Sequence, residues 1–149
     1  MPSNPSTIER LRRCCLSFPE ANERVSHGEP TWFAGKGKVF AMLDDHHHGA
    51  AHLAVWLPQP PGVQQDLIDL DAGRFFRPPY VGPSGWVGVV LDGAPNWTLV
   101  EKLVREAYLF VATKTLRQRL LEGEPAPRSA SASGRRGTTS PKRGGRKAR

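Results

Sequence analysis

No apolar run in this 149-residue chain approaches the ~20 residues that a membrane-spanning helix needs. Cysteine is nearly missing, and the two present, Cys14 and Cys15, are neighbours. A bridge between adjacent residues is strained, and two cysteines make no disulfide framework. The opening Met-Pro-Ser-Asn-Pro has neither the basic start nor the apolar stretch of a signal peptide. Together these absences point to a reduced, cytosolic setting. Catalytic signatures are missing as well. Gly35-Lys-Gly37-Lys38 is too short for a phosphate loop and lacks its closing Lys-Ser/Thr. No histidine stands near the cysteines in sequence to activate a thiol. The expectation is a protein that is not an enzyme and holds no cofactor.

Acidic residues are scarce in one place. From Gly123 to Arg149 there are eight basic residues and a single acid, Glu124, a net charge of +7. The whole chain has 21 basic and 14 acidic residues, also +7, so Met1–Glu122 carries thirteen of each sign. The high isoelectric point therefore belongs to the C-terminal segment, and the remainder is electrically balanced. Those last 27 residues contain no large apolar side chain. Burial cannot offset their ordering entropy, so a disordered tail is expected over 123–149. Met1–Glu122 is long enough to form one folded domain, removing roughly two thirds of its unfolded-chain surface from water.

Within that domain the pattern reads as mixed. Ser6-Thr-Ile-Glu9 has the form of a capping box, and Ile8, Leu11, Cys15 and Phe18 follow on one helical face that ends near Pro19. Cys15 is then a small core residue. Thr31–Ala34 and Lys38–Leu43 flank a Gly35-Lys-Gly37 turn, which predicts a hairpin. Asp44–Gly49 reads as a polar connection. His52–Leu57 and Trp86–Leu91 are two more strands, the second closed by Asp92-Gly93. Leu53, Val55 and Leu57 alternate with Ala54 and Trp56, so both faces of this strand are expected to be covered. Pro61–Asp71 is a short helical candidate, followed by a Pro- and Gly-rich stretch, Arg74–Gly85. Asn96 is a good N-cap. After it Val100, Leu103, Val104, Ala107, Tyr108 and Val111 form a broad apolar stripe, with Glu101 and Arg105 spaced for an outward i,i+4 pair. That helix is expected to continue through Leu116, Leu120 and Leu121 to Gly123. The fold class is α+β, an antiparallel sheet packed by N- and C-terminal helices.

Several blocks carry a family likeness. His27-Gly-Glu-Pro-Thr-Trp-Phe33 and Gly37-Lys-Val-Phe-Ala-Met-Leu43 resemble the first hairpin of the bacterial MmcQ/YjbR family. Phe75-Phe-Arg-Pro-Pro-Tyr-Val-Gly82, Gly85-Trp-Val-Gly-Val-Val-Leu-Asp92, Asn96-Trp97 and Glu106-Ala-Tyr108 resemble its second half. The likeness spans about Ser6 to Leu121 and leaves the tail outside. It implies a CyaY-like fold and DNA binding by a double-wing mode.

The residues themselves nominate nucleic acid as partner, and the DNA binding that the resemblance implies makes DNA the expected partner in preference to RNA, in the cytoplasm and at the nucleoid. Arg135, Arg136, Lys142, Arg143, Arg146, Lys147 and Arg149 stand among Gly and Ser that let a chain follow phosphates. Lys36 and Lys38 flank the hairpin tip. Arg74 and Arg77 bracket Phe75-Phe76, a basic–aromatic pattern suited to stacking. Lys114, Arg117 and Arg119 prolong the positive path towards the tail, and equally complement a helix dipole. Asp44-Asp-His46-His-His48 contains metal-ligand types, but consecutive histidines point in different directions, so no metal is expected there. The alternative to nucleic-acid binding is a small-ligand or protein-interaction module with a pocket near Pro78–Gly82 and Trp86.

Overall fold

The structure, a computed structural model, describes residues 5–46 and 52–123. Its first helix, α1 (Pro5–Leu16), begins with proline, which suits a first helical turn because its missing N–H needs no partner there. Ser6 thus lies inside the first turn instead of preceding it. Leu11 and Cys15 are fully buried and Phe18 nearly so, as their spacing predicts.

Six strands follow: β1 (Ala21–Ser26), β2 (Glu29–Ala34), β3 (Lys38–Asp45), β4 (Leu53–Leu57), β5 (Phe75–Phe76) and β6 (Val87–Val90). They form one antiparallel sheet in the order β1-β2-β3-β4-β6-β5. Between β4 and β5 lies α2 (Val63–Leu70), and after β6 come α3 (Trp97–Val111) and α4 (Lys114–Gly123). The α+β class and the β2–β3 hairpin agree with the sequence reading.

Four elements differ from it. β1 has too little apolar alternation to be read as a strand; the His27-Gly28 turn makes it one, both residues having positive φ (56° and 83°), the twist a tight hairpin requires. Asp44 and Asp45 belong to β3, not to a polar connection. Phe75-Phe76 pairs with Val89 and Gly88 inside the stretch expected to be loop. The long C-terminal helix is broken: Ala112 turns extended (ψ 153°) and the Thr113 hydroxyl oxygen accepts from the Leu116 amide to start α4. Breaking there allows Leu116 to pack against Gly35, where an added Cβ would lie 3.2 Å from Leu116 Cδ1.

The strand register sorts the sheet into two faces. Leu43, Leu53, Val55, Leu57, Val87 and Val89 join Leu11, Leu103, Val104 and Tyr108 in the main core beneath α1 and α3. The opposite face is defined by one row crossing all six strands: Arg24, Thr31, Met42, Trp56, Gly88 and Phe76. Phe76 lies where a side chain at position 88 would be, so glycine there makes room for the ring. Trp56 is only 2% exposed, so this second face is partly covered too, as the doubly apolar strand predicts.

Tyr108 anchors the main core. Its ring stacks on Phe18 (4.9 Å) and meets Phe40 edge-on (5.3 Å), and its hydroxyl donates to the Pro19 carbonyl at 2.7 Å. Tyr108→Phe keeps the rings and removes that bond. We expect a loss of about 1 kcal/mol, read from the urea midpoint; an unchanged midpoint would show that the bond contributes nothing.

Candidate nucleic-acid interface

The cationic residues nominated from sequence separate into two groups. The first is gathered at one end of the fold. Lys36 and Lys38, both exposed at the tip of the β2–β3 hairpin, border a cleft of about 330 Å³ whose other wall is formed by Thr113, Thr115 and Leu116 of the α3–α4 junction. Lys114, exposed, stands between those two threonines in sequence. Arg117 donates to the Ala112 carbonyl at 2.7 Å, closing the end of α3, and Arg119 pairs with Glu20 at 2.6 Å. Both are thereby held near the hairpin tip, and Lys36, Lys38 and Lys114 complete a cationic end.

Glu20 assembles this end. Its carbonyl accepts from the Gly35 amide (3.1 Å), its carboxylate takes Arg119, and Asn22 donates to the Gly35 carbonyl (2.7 Å). The tip is therefore braced on three sides and does not project as a free wing. Glu20 itself has φ 54°, a left-handed conformation rarely adopted by non-glycine residues.

The second group does not converge. The Arg74 guanidinium donates to the carbonyls of Asp92 (2.7 Å), Val90 (3.3 Å) and Ala94 (3.4 Å), clamping the β6–α3 connection. Arg77 is exposed, with its aliphatic stem over Gly82. Phe75 is core, while Phe76 lies over Gly88. The basic–aromatic pattern thus divides into a structural clamp and a surface residue. Arg128, Arg135, Arg136, Lys142, Arg143, Arg146, Lys147 and Arg149 lie outside the described residues.

The Pro78–Gly82 segment does border a cavity, of about 290 Å³, but with different partners from those expected. Its lining is His27, Met42, Trp56, Tyr80 and Val81. Trp86 instead offers its carbonyl, with that of Gly82, to the Gln64 amide, which ties the segment to α2. Met42 and Trp56 could have been found from the sequence only through their place in the second alternating set of their strands. His27 had no such signal.

Of the histidine run, His46 pairs with Asp45 at 2.7 Å, and His47 and His48 lie outside the described residues. Among the described residues no group of three or more His, Cys, Asp or Glu could hold a metal. No helix among them is long and apolar enough to cross a membrane. Burial pushes the Cys14 thiol up to about 11; Glu101 adds to this and Arg10 opposes it. Cys15, more deeply buried, is raised well above the ordinary thiol range.

Comparison with known proteins agrees with this architecture. The YjbR family model matches residues 16–110. The chain belongs to the YjbR family. Among solved structures, the YjbR chain is similar to the crystal structure of Deinococcus radiodurans protein DR2400, a DUF419 domain. The two share 23% identity over 76% of this chain and 86% of that one, with a TM-score of 0.62. That likeness is one of fold. Among curated proteins none matches the chain.

Two outcomes check these assignments. Arg74→Ala removes hydrogen bonds from a charged donor and should cost about 1.5–3 kcal/mol, whereas Arg77→Ala should stay within about 0.5 kcal/mol; equal midpoints in urea would sink the clamp. A thiol titrating near 11 holds at neutral pH roughly a hundredfold less thiolate than an ordinary one near 9. Alkylation of Cys14 should therefore be slow at pH 7 and accelerate about tenfold per pH unit to about pH 11; a plateau by pH 9 would contradict it.

Proposed function

We propose that this chain is a non-enzymatic nucleic-acid-binding protein that grips phosphates, those of DNA in preference to RNA, and acts in the cytosol at the nucleoid. The observation that carries the reading is the gathering of Lys36, Lys38, Lys114, Arg117 and Arg119 at one end of a domain whose charges sum to zero. In sequence, α4 leads from that end directly into the segment whose net charge is +7. Phosphates bound along it release condensed counterions, which makes the attraction strong, salt-dependent and indifferent to base sequence.

The braced hairpin tip acts in this reading as a wing that meets phosphates from outside a groove. Gly35 rests against Leu116, so the tip cannot enter a groove without carrying α4 with it. Cys15 is buried and Cys14 half-buried, and the raised pKa of both thiols supports a role without nucleophilic catalysis.

A second reading, a small-ligand or protein-interaction module, draws on the cavity beneath Tyr80 and Val81. Fluorescence anisotropy of a labelled random-sequence duplex, over a salt series, separates the two. The full chain should bind with a slope of log K against log salt of about −7 if all eight tail cations engage. A chain ending at Glu122 should lose most of that slope and most of the affinity. Unchanged binding after truncation would defeat tail-driven attachment and move credit to the lysines of the domain. Absence of binding by either form at low salt would leave the second reading in front.

A further inference from the structure

We propose that the sheet face turned away from α1 and α3 holds an unpaired nucleobase, in the cavity between the His27 turn and the Tyr80–Val81 loop. The proposal rests on the nucleic-acid reading and adds to it a site that reads bases instead of phosphates.

The register supplies the floor. Met42 and Trp56 are directly paired across β3 and β4 in the row that crosses the whole sheet. Next to Trp56 in that row, Phe76 fills the space over Gly88. His27 and Tyr80 also line the cavity, which is about 290 Å³. Ligand pockets run from roughly 300 to 1,000 Å³, so this one suits a ring system and not a whole nucleotide cofactor.

The lining has the matching chemistry. The Tyr80 phenol and the Met42 thioether present flat or polarisable surfaces, which favour the π-face of any base without selecting among them, above a Trp56 indole that is itself almost wholly buried. His27, exposed at the rim, has Nδ1 engaged with the Ser26 hydroxyl at 3.1 Å and offers its other ring nitrogen to a base edge. Tyr80 adds an independent sign. It is 76% exposed, yet its backbone sits at φ 66°, where a bulky side chain is strained. Pro78-Pro79 before it and a single 3-10 turn, Gly82–Ser84, after it hold that conformation. Strain kept in an exposed aromatic residue beside an apolar cavity is a mark of presentation to a ligand.

A cation on this face favours a nucleic-acid strand as the source of the ring. From the cavity towards the cationic end, the same face carries Phe33 with the Arg24 guanidinium 3.7 Å above its ring, a cationic plane on which a base can stack. Lys38 pairs with Ala34 beyond the bulge at Trp32/Phe33 and so lies on the helix-covered side of the hairpin, by the α3–α4 junction. One base on Arg24 and the next in the cavity describe a single strand lying across this face. A duplex keeps its bases paired and cannot enter.

The test uses the full chain and an oligodeoxynucleotide containing one 2-aminopurine, presented single-stranded and in a duplex. The single strand should bind with a change in 2-aminopurine fluorescence and the duplex without one. Tyr80→Ala should weaken the single strand by roughly tenfold, the loss of one base–aromatic stack, and leave duplex affinity unchanged. Tyr80→Phe should restore it. Tyr80 is exposed, so an unaltered melting temperature confirms that each variant is folded. If fluorescence does not change and Tyr80→Ala affects neither form while both still bind, the base site is wrong and the phosphate reading stands. If neither form binds at low salt, the phosphate reading fails and the base site with it.

Discussion

The short link between α1 and β1 carries more of this structure than its four residues suggest. Phe18 stacks on Tyr108, the Pro19 carbonyl takes the Tyr108 hydroxyl, and the Glu20 carbonyl takes the Gly35 amide. The Glu20 carboxylate then holds Arg119. Through these contacts one turn of chain joins the first helix, the hairpin tip, α3 and α4. The charged contact is exposed and contributes little by itself. The buried rings and the two backbone-directed bonds are what resist displacement. If this link moved, the two lysines of the hairpin would no longer face the start of α4, and the cationic end would cease to exist as a unit.

Charge in the domain is mostly committed. Arg12 grips Glu23 through two of its nitrogens while Trp32 donates to the same carboxylate, which pins the edge strand β1 to α1. Arg10 lies over the Trp97 ring and reaches Glu101, joining α1 to α3. Glu101, which the sequence spaces for a pair with Arg105 along its own helix, thereby also makes a contact between helices. Arg74 closes a connection. Lys36, Lys38 and Lys114 stay exposed and gather at one end, which gives a balanced globule a local positive surface, although Arg13, Arg77 and Lys102 are exposed as well.

The sheet has two unequal faces. Helices close one completely. On the other, a glycine admits Phe76 and a strained loop lies by Trp56, leaving an apolar recess. An apolar recess bounded by aromatics is seldom left in a small domain without a use.

Helix faces, the β2–β3 hairpin, the Asn96 cap and the α+β class were legible because each rests on local periodicity or a local hydrogen bond: the Asn96 side chain does accept from the Leu99 amide. The contrast between a charge-balanced domain and a segment of net charge +7 was legible by counting. β1 and β5 were not, since Ala21-Asn-Glu-Arg-Val-Ser26 and Phe75-Phe76 become strands only by pairing with neighbours already in place. The break at Ala112 escaped because an apolar stripe runs through it, and only the docking of Leu116 on Gly35 selects two helices over one. The fates of Arg74 and of Met42 with Trp56 likewise depend on residues distant in sequence. Composition and local pattern therefore determined what kinds of surface this chain possesses; long-range packing alone decided which charges are spent on the fold and which side chains meet across it, because those contacts join residues that no short window of sequence contains.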